Sequence, residues 1–286
     1  MTAGDSASRP RRSMLYLPAS NPRAIAKAQT LACDGVILDL EDSVAPEAKA
    51  GARAAAAAAI AAGFGGREVI LRCNGEDTPW FAEDLGMAAA ARPDGVLIPK
   101  VRSGEDLQAS AQRLPDAIRL WAMIETAGAV ANLERLAETG ALARLTGLVL
   151  GPNDLSAELG IRPGPDRAPL APILSRMVVA ARAWGLAALG GTFNAFEDTA
   201  GFEAECGQDA AFGFDGKTLI HPAQIAPANR IFSPSPQELA WARAVIEAFA
   251  DPEADGKGAI RLQGRMVERM HLDQARRLLA LGDQAR

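Results

Sequence analysis

Short apolar runs recur along the chain, and most of them close on a polar or charged residue. Eight have the length and composition of buried strands: Ser13 to Ala19, Gly35 to Glu41, Glu68 to Asn74, Gly95 to Lys100, Arg119 to Thr126, Gly147 to Gly151, Leu186 to Asn194 and Phe212 to His221. Long Ala-, Leu- and Arg-rich segments separate most of them. One of these, Ala54 to Ala62, is almost all alanine, which predicts a helix that packs closely on a sheet. Alternation of continuous apolar strands with helices calls for a parallel sheet, and eight such units predict an α/β protein built as a closed (β/α)8 TIM barrel. An open, doubly wound sheet is the alternative.

Past the eighth run the pattern changes. Ser235-Pro236-Gln237-Glu238 reads as a cap, a proline at the first helical position and a capping-box glutamate, opening a helix to about Ala250. The polar stretch DPEADGKG breaks it. The segment from Ala259 to Leu281, with Met266, Met270, Leu278 and Leu279 at its amphipathic end, is surplus to a barrel. It is expected to pack on a neighbour or cover the mouth. The expected plan is a disordered N-terminal tail over residues 1–12, a barrel over 13–232 and a C-terminal helical extension over 233–286.

Composition narrows the function. With 286 residues, 49% hydrophobic and 23% charged, the chain can bury the core of one large domain. A net charge of -5, with no basic run longer than Arg11-Arg12, argues against a nucleic-acid surface. The first dozen residues lack the apolar core of a signal peptide, and no apolar stretch approaches the length of a membrane span. Three scattered cysteines, Cys33, Cys73 and Cys206, have no CxxC spacing, which fits buried thiols in a reducing cytoplasm.

Candidate chemistry gathers at the strand ends, where the βα loops of a barrel build its site. Alternation puts Ile37, Asp39 and Glu41 on one face of their strand, and Arg72 and Asn74 on one face of theirs. Buried charges need partners, so Asp39 and Arg72 either serve a site or form an internal ion pair. Two further acids, in Met-Ile-Glu125-Thr126 and Leu-Gly-Pro-Asn-Asp154-Leu-Ser, each follow a short apolar run. With no histidine or cysteine nearby they make the oxygen ligand set of a hard cation, Mg2+ or alternatively Mn2+; taken singly each also reads as a helix cap, a reading that Arg72 beside them disfavours. Such an ion could chelate a 2-oxo or 2-hydroxy acid.

Other chemistries fare poorly. There are two histidines, His221 and His271, and no G-x-S-x-G elbow. Gly216-Lys217-Thr218 has Ala211 where a phosphate-cradling loop needs glycine, and the GFGG at residues 63–66 precedes a strand instead of following one. His221, ahead of Pro222 at a strand end, reads as a hydrogen-bonded structural residue.

Seven motifs then align in order: RSMLYLPAS, DGVILDLEDSVAPEAKAGAR, VILRCNGEDTPW, GVLIPKV, WAMIETAGAVANL, LVLGPNDLS and GFDGKTLIHPAQI. From about Arg12 to Leu281 the chain resembles the citrate lyase β-subunit-like branch of the HpcH/HpaI aldolase family, which includes malyl-CoA and citramalyl-CoA lyases. The resemblance implies a Mg2+-dependent barrel that cleaves or forms a carbon-carbon bond between an acyl-CoA and a 2-oxo acid. It makes Glu125 and Asp154 the metal ligands and Arg72 the holder of the substrate oxygens, with Asp39 and Glu41 in support through Arg72 or metal-bound water. Lys49 and Arg53 become candidates for the CoA phosphates, with solvated helix charges as the alternative. A trimeric or hexameric homo-oligomer is implied, in which a tail residue of one copy acts as acid or base in the next.

Two positions depart from the family pattern. Where relatives carry an aspartate in that tail, this chain has Glu268, and where the seventh strand commonly has Asp-Gly, it has Gly190-Gly191, which reads as one missing site carboxylate. The leading expectation is a lyase for a short 3-hydroxyacyl-CoA such as malyl-CoA or citramalyl-CoA. Hydrolysis of the thioester is one alternative. A lyase subunit acting on an acyl carrier protein is another, and the extended tail with its carboxylate speaks against it.

Overall fold

The computed structural model describes residues 9–251 and 256–284. Eight strands, β1 (Ser13–Pro18), β2 (Gly35–Asp39), β3 (Glu68–Arg72), β4 (Gly95–Ile98), β5 (Arg119–Ile124), β6 (Leu145–Leu150), β7 (Ala187–Gly190) and β8 (Gly216–Leu219), pair in sequence order into a closed barrel. Every neighbouring pair is parallel, including β1 with β8. Parallel strands are covered on both faces, which is why β2, β3, β4 and β8 are buried at every position. The expected (β/α)8 barrel is thus the observed one.

Boundaries shifted where local geometry intervened. β6 starts at Leu145, ahead of the expected run, where the register against β5 slips between Leu120 and Trp121. β8 starts later than expected, because Phe212 ends the helix Thr199–Phe212, which Gly213 closes at φ 97°. Inside the barrel Met14, Ile37, Ile70, Leu97, Trp121, Met123, Val149 and Leu189 form one cluster with contributions from β1 through β7. Full burial of each such side chain contributes about 1.5–3 kcal/mol. Outside, the alanine-rich helix Lys49–Ala62 turns Ala52, Ala56 and Ala59 inward, a small-residue stripe that lets it lie close to its neighbours. The three cysteines are buried and free, as expected.

The N-terminal tail expected through residue 12 ends sooner than that. Arg11 is buried, donates to Glu68 from Nε at 2.6 Å and Nη2 at 3.0 Å, and lies 5.0 Å over the Trp121 ring. Arg12 pairs with Asp34 at 2.7 Å. The rest of that expectation, residues 1–8, lies outside the described residues.

Compact units divide at 230/231, close to the expected 232/233 boundary: residues 11–230 form the barrel unit. In the C-terminal unit the helix Pro236–Ala250 begins at the capping box read from the sequence, with Ser235 and Glu238 each capping the other's backbone. The extension is not wholly helical. Ala259–Leu262 and Arg265–Glu268 form an antiparallel hairpin, β9 and β10, turning through Gln263 and Gly264 with φ of 47° and 80°. Two successive positive φ values suit the twist of a tight hairpin, a signal that side-chain amphipathicity does not carry. The helix Arg269–Gln284 follows, and Ala242, Val245, Val267, Leu272 and Ala275 make this unit's own core. Among the described residues no helix is long and apolar enough to cross a membrane.

Candidate active site

Asp39 and Arg72 end β2 and β3 in direct register. Arg72 donates from Nε to Asp39 Oδ1 and from Nη2 to Oδ2, both at 2.7 Å, a two-pronged pairing that fixes the guanidinium plane. Its Cζ lies 4.9 Å over the Tyr16 ring. Burial alone would raise the Asp39 carboxyl, but Arg72 outweighs it, and with bonds from Ser43 and the Glu41 amide holds the group below the usual carboxylate range. The ion pair and the site are therefore one feature.

Glu41 stands just beyond. Its Oε2 lies 2.9 Å from Arg72 Nη1, yet no donor points at that buried oxygen along a hydrogen-bonding direction. Its Oε1 accepts from Lys100 Nζ at 2.8 Å. Burial raises the Glu41 carboxyl more than Arg72 and Lys100 lower it. Lys100 follows β4 with a left-handed backbone, φ 54°, and its amide donates to Glu125 Oε1 at 2.8 Å. One residue thus ties Glu41 through its ammonium and Glu125 through its backbone. Burial would lower the ammonium, but the bond to Glu41 together with the charges of Glu41, Asp42 and Asp154 more than reverses this and raises it. The sequence motifs alone assign Lys100 no role, although a cation at a strand end is the available signal.

Glu125 follows β5 and is 1% exposed. Burial pushes its carboxyl up to about 8, and repulsion from Glu41 and Asp154 adds to this against the Lys100 amide. Asp154 sits in the first turn of the helix Pro152–Leu159, where an acid is favoured by the helix dipole. Two glycines make this packing possible. A methyl on Gly151 would overlap the Glu125 carboxylate and come within 2.5 Å of its Cβ, while one on Gly191 would run into Pro152, with Cγ at 2.7 Å.

Tyr16, Asp39, Arg72, Met123, Glu125 and Asp154 line one cavity of about 390 Å3. Glu125 and Asp154 also border a second hollow of about 500 Å3, with Lys100, Arg102 and several acids. The site brings acids together that repel one another, and a cation among them would reverse that repulsion. Among the described residues no cluster of three or more His, Cys, Asp or Glu side chains forms a full metal cage. An all-oxygen pair of carboxylates, with room for waters and substrate oxygens, fits Mg2+, which commonly keeps several waters and one or two carboxylates.

Other expected residues lie elsewhere. Lys49 and Arg53, expected at the CoA phosphates, both have partners within the protein. Lys49 is buried and spends its ammonium on the Leu40 and Glu41 carbonyls and on Asn74 Oδ1, at 2.6–2.8 Å. Arg53 is committed to Asp84 at 2.9 Å and Glu83 at 2.6 Å. Lys49 thereby holds its helix to the end of β2, and Arg53 ties the same helix to the helix Phe81–Ala91. Gly190 is not a gap in the site either: a side chain there would strike Asp209, with Cγ at 2.9 Å, in the helical layer. That Asp209 pairs with Lys217 at 2.7 Å and Arg167 at 2.6 Å, so the lysine of the rejected phosphate-loop motif is structural. His221 accepts from the Ala223 amide and stacks on Phe196 at 4.9 Å, as a structural residue would. In the C-terminal unit Glu268 ends β10 with its side chain exposed and its amide donating to His271 Nδ1 at 2.9 Å.

Residues 12–222 match the family described as HpcH/HpaI aldolase/citrate lyase. A (3S)-malyl-CoA thioesterase of Cereibacter sphaeroides is 48% identical over 272 residues, covering 95% of this chain and 94% of that protein. An L-malyl-CoA/beta-methylmalyl-CoA lyase of the same species is 34% identical, covering 93% of each chain. Among solved structures, the protein CitE from Mycobacterium tuberculosis, in complex with magnesium, acetoacetate and coenzyme A, superposes with a TM-score of 0.80 at 31% identity, over 97% of this chain and 99% of the other.

Proposed function

The chain belongs to the HpcH/HpaI aldolase/citrate lyase family, and from that premise we propose that it is a Mg2+-dependent thioesterase for a short 3-hydroxy dicarboxylyl-CoA of the malyl-CoA class. One observation carries the choice of reaction: 48% identity to a malyl-CoA thioesterase against 34% to a malyl-CoA lyase, at near-complete coverage in both. This reverses the order expected from the motifs, in which carbon-carbon cleavage came first. Cleavage stays the second reading, supported by the lyase relative and by a cavity that suits either reaction.

In hydrolysis, water adds to the thioester carbonyl carbon, the carbon-sulfur bond breaks, and the CoA thiolate leaves with the proton. In the lyase reaction a base takes the 3-hydroxyl proton and the carbon-carbon bond breaks, releasing an acyl-CoA enolate and a 2-oxo acid. A divalent ion held by Glu125 and Asp154 would supply Lewis-acid polarisation of substrate oxygens. Arg72, with its plane fixed by Asp39, binds an oxygen of the acid end and offsets negative charge as it develops. Lys100 holds Glu41 and Glu125 at their positions beside it. Glu268 moves a proton for the site of a neighbouring copy in a homo-oligomer.

Mass spectrometry after incubation with malyl-CoA and Mg2+, beside an EDTA control, separates the readings. Free CoA with malate supports hydrolysis, whereas acetyl-CoA with glyoxylate supports cleavage. No metal-dependent change in either would overturn the substrate class.

A further inference from the structure

Tyr16 stands on β1 with its ring beneath the Arg72 guanidinium, and both line the cavity with Met123. Among the described residues its hydroxyl meets one acceptor, Met123 Sδ, at 4.0 Å. Arg72 Nη1 approaches the same sulfur at 3.8 Å. Arg72 Nη1 also faces Glu41 Oε2 at 2.9 Å and Asp42 Oδ2 at 3.5 Å, so the Tyr16 hydroxyl is the strong donor left on a thioether, which is a weak acceptor. A phenol that met no need here could have been a phenylalanine with the same ring.

We propose that Tyr16 Oη and Arg72 Nη1 together bind one carboxylate oxygen of the substrate, next to the point that Met123 Sδ now marks, which makes Tyr16 a substrate-binding residue. This rests on the reading that the cavity takes the acid end of a hydroxy acid. Burial raises the phenol, so it stays protonated near neutral pH and can donate. The fixed Arg72 plane sets one donor, and the packed tyrosine ring sets the other. A site that hydrogen-bonds an oxygen in this way discriminates strongly against ligands that leave the donors unpaired.

Isothermal titration of malate into protein held in saturating Mg2+ tests it, with wild type, Tyr16→Phe and Met123→Leu compared. Tyr16→Phe keeps the ring under Arg72 and is expected to weaken malate about tenfold, the loss of one hydrogen bond to a charged group, with Mg2+ affinity and melting temperature unchanged. Met123→Leu removes the sulfur at similar volume and is expected to stay within about twofold of wild type. An unchanged malate constant in Tyr16→Phe overturns the inference alone, as does an equal loss in Met123→Leu, which would assign the effect to packing. Wild-type protein that does not bind malate overturns the functional reading and this inference with it.

Discussion

Asp39 and Arg72 are in-register neighbours across β2 and β3, joined by two hydrogen bonds of 2.7 Å and almost closed to solvent. The carboxylate determines the plane of the guanidinium, and the guanidinium lines the cavity beside Glu125 and Asp154. An ion pair that helps hold the barrel together also fixes the orientation of a cation that lines its cavity.

Arg72→Lys keeps the charge but cannot reproduce the two-pronged geometry. Turnover of the CoA substrate is expected to fall about a hundredfold, the scale of an ångström's misplacement. Steady-state kinetics check this, and a loss of less than about threefold would remove Arg72 from the reacting end.

Asp39→Asn removes the bidentate one of the two buried carboxylates that face Arg72 and should destabilise the protein by about 3 kcal/mol near neutral pH. The sign of the pH dependence follows from the lowered carboxyl. The pair's contribution is complete above the unfolded aspartate value of about 3.9 and is lost as pH falls through the lower folded value. Urea midpoints should therefore differ most at pH 6 and converge toward pH 3. A gap that stays constant over that range would mean the charge is not what stabilises the pair.

Gly151→Ala puts a methyl where the Glu125 carboxylate now lies. Wild-type protein is expected to melt at higher temperature with Mg2+ than with EDTA, because a ligand of the folded state stabilises it. That rise should vanish in Glu125→Ala and Asp154→Ala and shrink in Gly151→Ala, in parallel with activity. Retention of the full rise in either acid variant would sink the metal assignment.

If Glu268 serves a neighbouring copy, Arg72→Ala and Glu268→Gln damage different halves of a shared site. Each alone should be nearly inactive, and mixed oligomers should regain activity. Co-expression with two affinity tags, followed by assay of the doubly tagged species, measures this. Mixed species as inactive as their parents would return Glu268 to the role of an exposed residue beside His271.

Periodicity and composition were enough for the barrel, because eight buried strands must be continuous apolar runs and the helices between them must follow a different period. The same local signals put Asp39 and Arg72 at strand ends and Glu125 and Asp154 just past them, and the capping box at Ser235 needed only its own four residues. What the tertiary structure decided was which of these groups meet and what each has left to offer. Alternation assigns a face but no register, so the Asp39–Arg72 pairing came from β2 aligning on β3. Lys49 and Arg53 looked available until packing supplied Asn74, Asp84 and Glu83 as partners. Gly190 looked like a lost carboxylate until the strand's orientation turned that position toward Asp209. The Lys100 bridge and the Gln263-Gly264 turn depend on positive φ values that side-chain chemistry does not announce. Pattern along a chain determines which side chains must be buried, whereas the partners that satisfy them come from segments far away in sequence.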